Sequence, residues 1–133
     1  MILVDSNIIL DILTFDPNWY EWSSNKIKLL SKSHELIIND IIYTEISIGF
    51  KRIEELEVII DDFRLTPMSK EVLFLAGKAF QKYKLNGGIK NSILPDFFIG
   101  AHASILEIDL LTRDISRYKT YFPKINLITP KYS

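Results

Sequence analysis

Four acidic residues, far apart in the sequence, stand where chemistry is most readily built. Asp5 directly follows the apolar run Ile2-Leu3-Val4, and Asp114 closes the stretch Leu110-Leu111-Thr112-Arg113-Asp114. Glu45 falls about one helical turn into the segment after Leu36-Ile37-Ile38, and Asp96 lies in the first turn of the helix leading to residues 109–112. Carboxylates gathered at one place repel each other and hold their protons unless something compensates the charge. A divalent cation resolves that conflict. All-oxygen ligation favours Mg²⁺ or Mn²⁺, since the chain has no Cys, and its two histidines, His34 and His102, do not form a ligand pair. One such ion, or two, would lower the pKa of a bound water, aim it in line at a phosphodiester and stabilise the leaving oxygen. Ser6, Asn7 and Thr112 stand beside the acids as neutral groups able to orient a carboxylate or a water.

Each acid also has a purely structural reading. Asp96 and Asp114 sit where acids complement a helix N-terminus, and Glu45 taken alone is a solvated helix residue. Asp5 is the hardest to read that way, because an acid ending a hydrophobic central strand is costly unless paired. Asp40 reads as an N-cap, and Asp11, although it could reach the rim of the site, reads as a surface residue. Asp109 belongs to the turn before its strand.

The elements that must position these residues are legible from periodicity. Strand-length apolar runs occur at residues 2–4, 36–38, 109–112 and 126–128, with a weaker one at 64–66. Helical segments are expected at 7–13, 19–31, 41–50, 53–62, 69–84 and 96–107, with Pro95 opening the last of these and a short helix following Asp114. Short apolar strands alternating with helices predict a three-layer α/β/α sandwich around a parallel sheet of four to five strands. Ligands of such sheets gather outside the carboxyl ends of the strands, which is where Asp5 and Asp114 fall.

Length and composition bound the possibilities. The 133 residues suit one domain, and 47% hydrophobic with 25% charged residues excludes a disordered or low-complexity chain. The apolar N-terminus lacks a basic region and carries Asp5 and Asp11, so it reads as a core strand and helix, not a leader. No uncharged apolar run reaches the ~18 residues of a membrane span. A cytoplasmic setting suits a chain without Cys. The net charge of −1 at first argues against a nucleic-acid partner, but setting aside Asp5, Glu45, Asp96 and Asp114 leaves thirteen acids against sixteen bases, a net +3.

The blocks Val4-Asp5-Ser6-Asn7-Ile8-Ile9-Leu10, Thr44-Glu45-Ile46-Ser47-Ile48-Gly49, Pro95-Asp96-Phe97-Phe98-Ile99-Gly100-Ala101-His102-Ala103 and Leu111-Thr112-Arg113-Asp114 resemble the PIN-domain ribonucleases. More narrowly, they are similar to the VapC toxins of bacterial and archaeal toxin–antitoxin pairs. Their order, spacing and context agree over essentially the whole chain, with residues 1–133 as a single PIN domain. The resemblance implies Asp5, Glu45, Asp96 and Asp114 as the acidic metal-binding quartet, with Ser6, Asn7 and Thr112 as its neighbours. It also implies Mg²⁺- or Mn²⁺-dependent endoribonuclease activity, a homodimer, and inhibition by a cognate antitoxin. Departures are mild: Ser6 replaces the usual Thr, Ile46 the usual Leu, and Ile115-Ser116-Arg117-Tyr118 lacks the further acid that many members carry after Asp114.

Basic residues flank the acids. Between residues 72 and 95 there is no acid but Lys78, Lys82, Lys84 and Lys90, around the turn Gly87-Gly88, and Arg113 and Arg117 bracket Asp114. Lys82, Lys84, Lys90, Arg113 and Arg117 are candidate RNA-phosphate contacts, with a solvated helix face and local charge balance as the bland alternatives. Phe15, Trp19, Tyr20 and Trp22 could stack on bases, pack a helix, or with Ile41, Ile42, Ile46 and Phe50 line an apolar groove for an antitoxin. His102 reads as a packed core residue and His34 as part of a polar turn. Haloacid-dehalogenase-type phosphatases need a second Asp where Asn7 stands, and no receiver-domain Asp and Lys pair can be placed. Two alternatives stay open: a non-enzymatic PIN-like RNA-binding or regulatory module, and an RNA-maturation nuclease without an antitoxin.

Overall fold

The computed structural model describes residues 1–131. Strand β1 (Ile2–Val4) leads into α1 (Ser6–Leu13) and α2 (Tyr20–Ser31); β2 (Leu36–Ile38) is followed by α3 (Asp40–Ser47) and α4 (Ile53–Ile59). After β3 (Arg64–Leu65) come the long α5 (Lys70–Leu85) and α6 (Pro95–Leu106), then β4 (Asp109–Leu111), α7 (Ser116–Tyr121) and β5 (Leu127–Ile128). The five strands form one parallel sheet in the order β3-β2-β1-β4-β5, with β1 at its centre. Leu3 lies opposite Ile37 on one side and Leu110 on the other.

Successive residues of a strand face opposite sides of the sheet. In β1 all three residues, Ile2, Leu3 and Val4, are at most 1% exposed, so both faces are covered, and the expected α/β/α sandwich is what forms. Ile37 and Ile38 of β2 and Leu110 and Leu111 of β4 are likewise fully buried. Parallel strands point their carboxyl ends the same way. The residues just after β1, β2 and β4, namely Asp5, Asn39 and Thr112, therefore share one edge.

Element boundaries depart from the periodicity at their ends. Asp40 is not the cap of α3 but its first helical residue; Asn39 caps it, its Oδ1 accepting from the Ile42 N–H at 3.0 Å. Helix α3 stops at Ser47 instead of Phe50, and α4 at Ile59 instead of Asp62. On α5, Val72, Ala76 and Ala79 are buried as the spacing implies, whereas Leu73 lies outside the buried stripe at 44% exposure.

Helix α6 crosses the core with Phe97, Ile99, Ala101, His102 and Ala103 all fully buried. It can approach α7 closely because Gly100 has no side chain: a Cβ there would run into the ring of Phe122, which is itself buried. Gly77 on α5 is the opposite case, with nothing near its absent Cβ. Gly100→Ala should therefore lower the free energy of unfolding by about 2 kcal/mol through overpacking. Gly77→Ala should raise it by roughly 0.5–1 kcal/mol through helix propensity. Urea unfolding of the two variants checks the contrast.

Candidate active site

The site is organised around Asp5, which is only 3% exposed. Its backbone N–H continues the sheet by donating to the Leu111 carbonyl at 2.9 Å. Its Oδ1 accepts from the Ser6 N–H at 2.7 Å, so the same carboxylate caps α1. Its Oδ2 accepts from the Thr112 hydroxyl at 2.8 Å and the Tyr118 hydroxyl at 2.8 Å, with Asn7 Nδ2 at 3.4 Å. Burial is the largest influence on this group and pushes its pKa up to about 6; the Tyr118 and Thr112 hydrogen bonds oppose that, and the charge of Asp96 adds to it.

Thr112 is the junction. Its hydroxyl donates to Asp5 and accepts from Asn7 Nδ2 at 3.2 Å and from the Asp114 N–H at 3.0 Å, which uses its one donor and both lone pairs. Asn7 closes the ring by accepting the Arg113 N–H on Oδ1 at 3.2 Å. Ser6 reaches the other way, its hydroxyl donating to Glu45 Oε1 at 2.9 Å. Glu45 is thus a half-buried member of the network, not a solvated helix residue. Asp96, in the first turn of α6, accepts from Arg117 Nη1 at 3.1 Å, and Asp114 is exposed at the rim.

Electrostatics tie the four acids together. Burial raises the pKa of Glu45, with the charges of Asp96 and Asp114 acting in the same direction. Burial also raises Asp96; Arg117 opposes this and Asp114 reinforces it. Tyr118, fully buried, is held well above the usual tyrosine range by burial and by the charges of Asp5, Asp96 and Asp114, so it remains a hydroxyl donor. The donor set is all oxygen, the ligand chemistry of a hard divalent cation, with Asp96 already paired to Arg117. Among the described residues, no three acidic or imidazole side chains stand close enough to cage an ion as they are placed. Holding one requires side-chain adjustment, and Asp96 is turned toward Arg117.

The basic candidates fall into different settings. Arg113 is clamped on Asp11, Nε to Oδ2 at 2.7 Å and Nη2 to Oδ1 at 2.9 Å, and its guanidinium lies 5.0 Å from the Trp19 ring centroid. Asp11 also accepts from the Ser23 hydroxyl at 2.7 Å and is 3% exposed. The expectation that Asp11 is a surface residue is therefore corrected: a bidentate partner lets the carboxylate be buried. Lys82, Lys84 and Lys90 are exposed, the first two in the last turn of α5, where they complement the helix dipole. The Lys90 N–H donates to the Tyr83 hydroxyl at 3.2 Å, which ties this loop to the ring beside Arg117.

Ile42 and Ile46 are completely buried, so they belong to the core and cannot line a docking groove. Phe15 is 72% exposed and stacks on Tyr20 with ring centroids 5.0 Å apart. His102 is packed as expected: it is fully buried, its Nδ1 faces Asn39 Nδ2 at 3.0 Å, and burial holds its pKa below the usual range. His34 is exposed and lies against the Ser33 hydroxyl at 3.0 Å. Sequence reasoning missed Tyr118 and Asn39. The available signal for Tyr118 was its place four residues after Asp114 in a helical stretch, where a buried Tyr needs a partner for its hydroxyl.

Comparison with known proteins places this geometry. The model of the PIN domain matches residues 2–123. Similar solved structures include VapBC2 from Rickettsia felis bound to a DNA fragment from its promoter, at 23% identity and a TM-score of 0.76, covering 98% of this chain and 100% of that one. A toxin–antitoxin complex from Klebsiella pneumoniae matches at 21% identity and a TM-score of 0.73, with 98% of each chain covered. FitAcB from Neisseria gonorrhoeae matches at 21% identity and a TM-score of 0.69, with 97% of each chain covered. No curated protein sequence matches. Likeness at these identities is likeness of fold. With the family model spanning nearly the whole sequence, the chain belongs to the PIN domain family.

Proposed function

We propose that this chain, a single PIN domain, is a Mg²⁺- or Mn²⁺-dependent endoribonuclease and the toxin of a toxin–antitoxin pair. The observation that carries the reading is the hydrogen-bonded network at the carboxyl edge of the sheet, in which Ser6 joins Asp5 to Glu45, Thr112 joins Asp5 to the Asp114 N–H, and Asp96 lies against Arg117. A bound divalent ion supplies a water of lowered pKa and stabilises charge on the phosphate oxygens. Asp5, Glu45, Asp96 and Asp114 would hold it. Thr112, Tyr118 and the Ser6 N–H aim and restrain the Asp5 carboxylate, Ser6 restrains Glu45, and Asn7 fixes the Thr112–Arg113 turn.

The exposed Lys82, Lys84 and Lys90 precede Asp96 in the chain and suit an RNA backbone, which is bound through phosphate charge regardless of sequence. The toxin assignment draws on the VapBC and toxin–antitoxin neighbours, and it brings with it a cognate antitoxin and a homodimer. No helix among the described residues is long and apolar enough to cross a membrane, and the proposed setting is the cytoplasm.

Purified protein should cleave RNA in Mg²⁺ or Mn²⁺ and lose activity in EDTA. Asp5→Asn and Asp96→Asn should each reduce the cleavage rate by roughly 10²-fold or more while keeping the circular dichroism of the parent. Full cleavage by both variants would overturn the assignment. Binding without cleavage in the parent would favour the regulatory-module reading, and a neighbouring reading frame without a small antitoxin would favour RNA maturation.

The pH dependence of stability gives an independent check. The folded chain holds the Asp5 proton more tightly than an unfolded one, since its pKa rises from 3.8 to about 6. The stabilisation is therefore complete below about pH 4 and lost as pH rises through about 6, roughly 3 kcal/mol in all. In metal-free buffer the parent should lose thermal stability relative to Asp5→Asn between pH 4 and 7. Mg²⁺ at neutral pH should restore the parent and leave Asp5→Asn unmoved, because only the parent's native state gains a ligand.

A further inference from the structure

Helix α6 carries a buried polar group that the acidic edge does not use. His102 is fully buried, and so is its partner Asn39. The Asn39 amide has a fixed orientation. Its Oδ1 accepts the Ile42 N–H at 3.0 Å and so caps α3, which leaves its NH₂ facing His102 Nδ1 at 3.0 Å. An amide NH₂ only donates, so Nδ1 must accept and the proton of the neutral ring must sit on Nε2. Burial favours the neutral ring and outweighs the charge of Asp40, which acts the other way. The ring also lies beside the Pro67 backbone, but Nε2 finds no hydrogen-bond partner among the described residues. An unpaired buried N–H is a cost that an apolar side chain would avoid. What the imidazole supplies at this place is the acceptor for Asn39.

That one hydrogen bond joins two helices of the site. Asn39 caps α3, and Glu45 stands six residues after it; His102 lies on α6, six residues after Asp96. At eight residues, α3 is too short to be held by helix propensity, so its cap and its packing must fix where it starts. We infer that His102 is a positioning residue: as the Nε2–H tautomer it locks the Asn39 amide, and through it sets the start of α3 and the place of Glu45 relative to Asp96. Its effect on cleavage rests on the nuclease reading, whereas the tautomer does not. A proton on Nδ1 would set N–H against NH₂ and drive Asn39 off the Ile42 N–H.

The test combines long-range ¹⁵N–¹H magnetic resonance of the imidazole rings in the full chain with kinetics of RNA cleavage in Mn²⁺. In the parent at pH 7, His102 should be the Nε2–H tautomer. Asn39→Asp keeps one oxygen for the Ile42 N–H and turns the other on Nδ1, so the proton should move to Nδ1 and His102 should titrate at higher pH than in the parent. His102→Leu, which has no acceptor, should lower kcat roughly tenfold with KM and circular dichroism little changed. His102→Asn, whose Oδ1 can take the place of Nδ1, should restore kcat to within about twofold of the parent. An Nδ1–H tautomer in the parent would overturn the inference and leave the nuclease reading intact, as would equal kcat in the His102→Leu and His102→Asn variants. Should His102→Leu fail to fold, Asn39→Asp decides, and an unmoved proton there overturns the inference. A parent that cleaves no RNA would remove the nuclease reading, and the positioning role with it.

Discussion

The structure depends on one constraint: a carboxylate must be kept at the end of the central strand, inside the fold, without being neutralised by a cation of its own. Asp5 meets it with hydrogen bonds. Donors from α1, from the turn after β4 and from α7 converge on its two oxygens, so one side chain joins segments more than a hundred residues apart. Hydrogen bonds to a charged group are the stronger kind, and these offset part of what burial costs. The remaining cost is visible in the raised proton affinity of Asp5. An acid left in that condition is ready for a cation.

The same logic separates the two arginines around Asp114. Arg113 is a structural cation: Asp11, Ser23 and Trp19 surround its head, and its backbone N–H secures Asn7. Arg117 faces the other way, into the acidic cluster, steadied by aromatic rings on α5 and α6. Four residues of separation on the chain place them in different electrostatic environments. Net charge conceals this division, because four of the acids belong to one edge of the sheet while the lysines of α5 and its following loop are exposed to solvent.

The order of elements and the parallel sheet were legible in the sequence, because short apolar runs separated by helical periods admit few other arrangements. Helix ends were less so. Asn39 and Asp40 are both good caps in sequence, and the choice fell to Asn39 because it alone is buried after β2, where its amide also meets His102. Asp11 looked like a surface acid for a related reason: nothing local shows that Arg113, about a hundred residues later, arrives to pair with it.

The sequence by itself determined which side chains could do chemistry here: four carboxylates, each tied to the end of a strand or the start of a helix, in a chain without Cys and with no histidine pair. That much follows from residue type and local period, which are properties of neighbours along the chain. Tertiary structure alone decided that Tyr118 and Thr112 serve Asp5, that Ser6 serves Glu45, that Ile42 and Ile46 are core, and that Arg117 pairs with Asp96 and Arg113 with Asp11. The physical reason is that hydrogen bonds and charge pairs act over a few ångströms of space, and those distances exist only once the parallel strands bring their carboxyl ends to one edge.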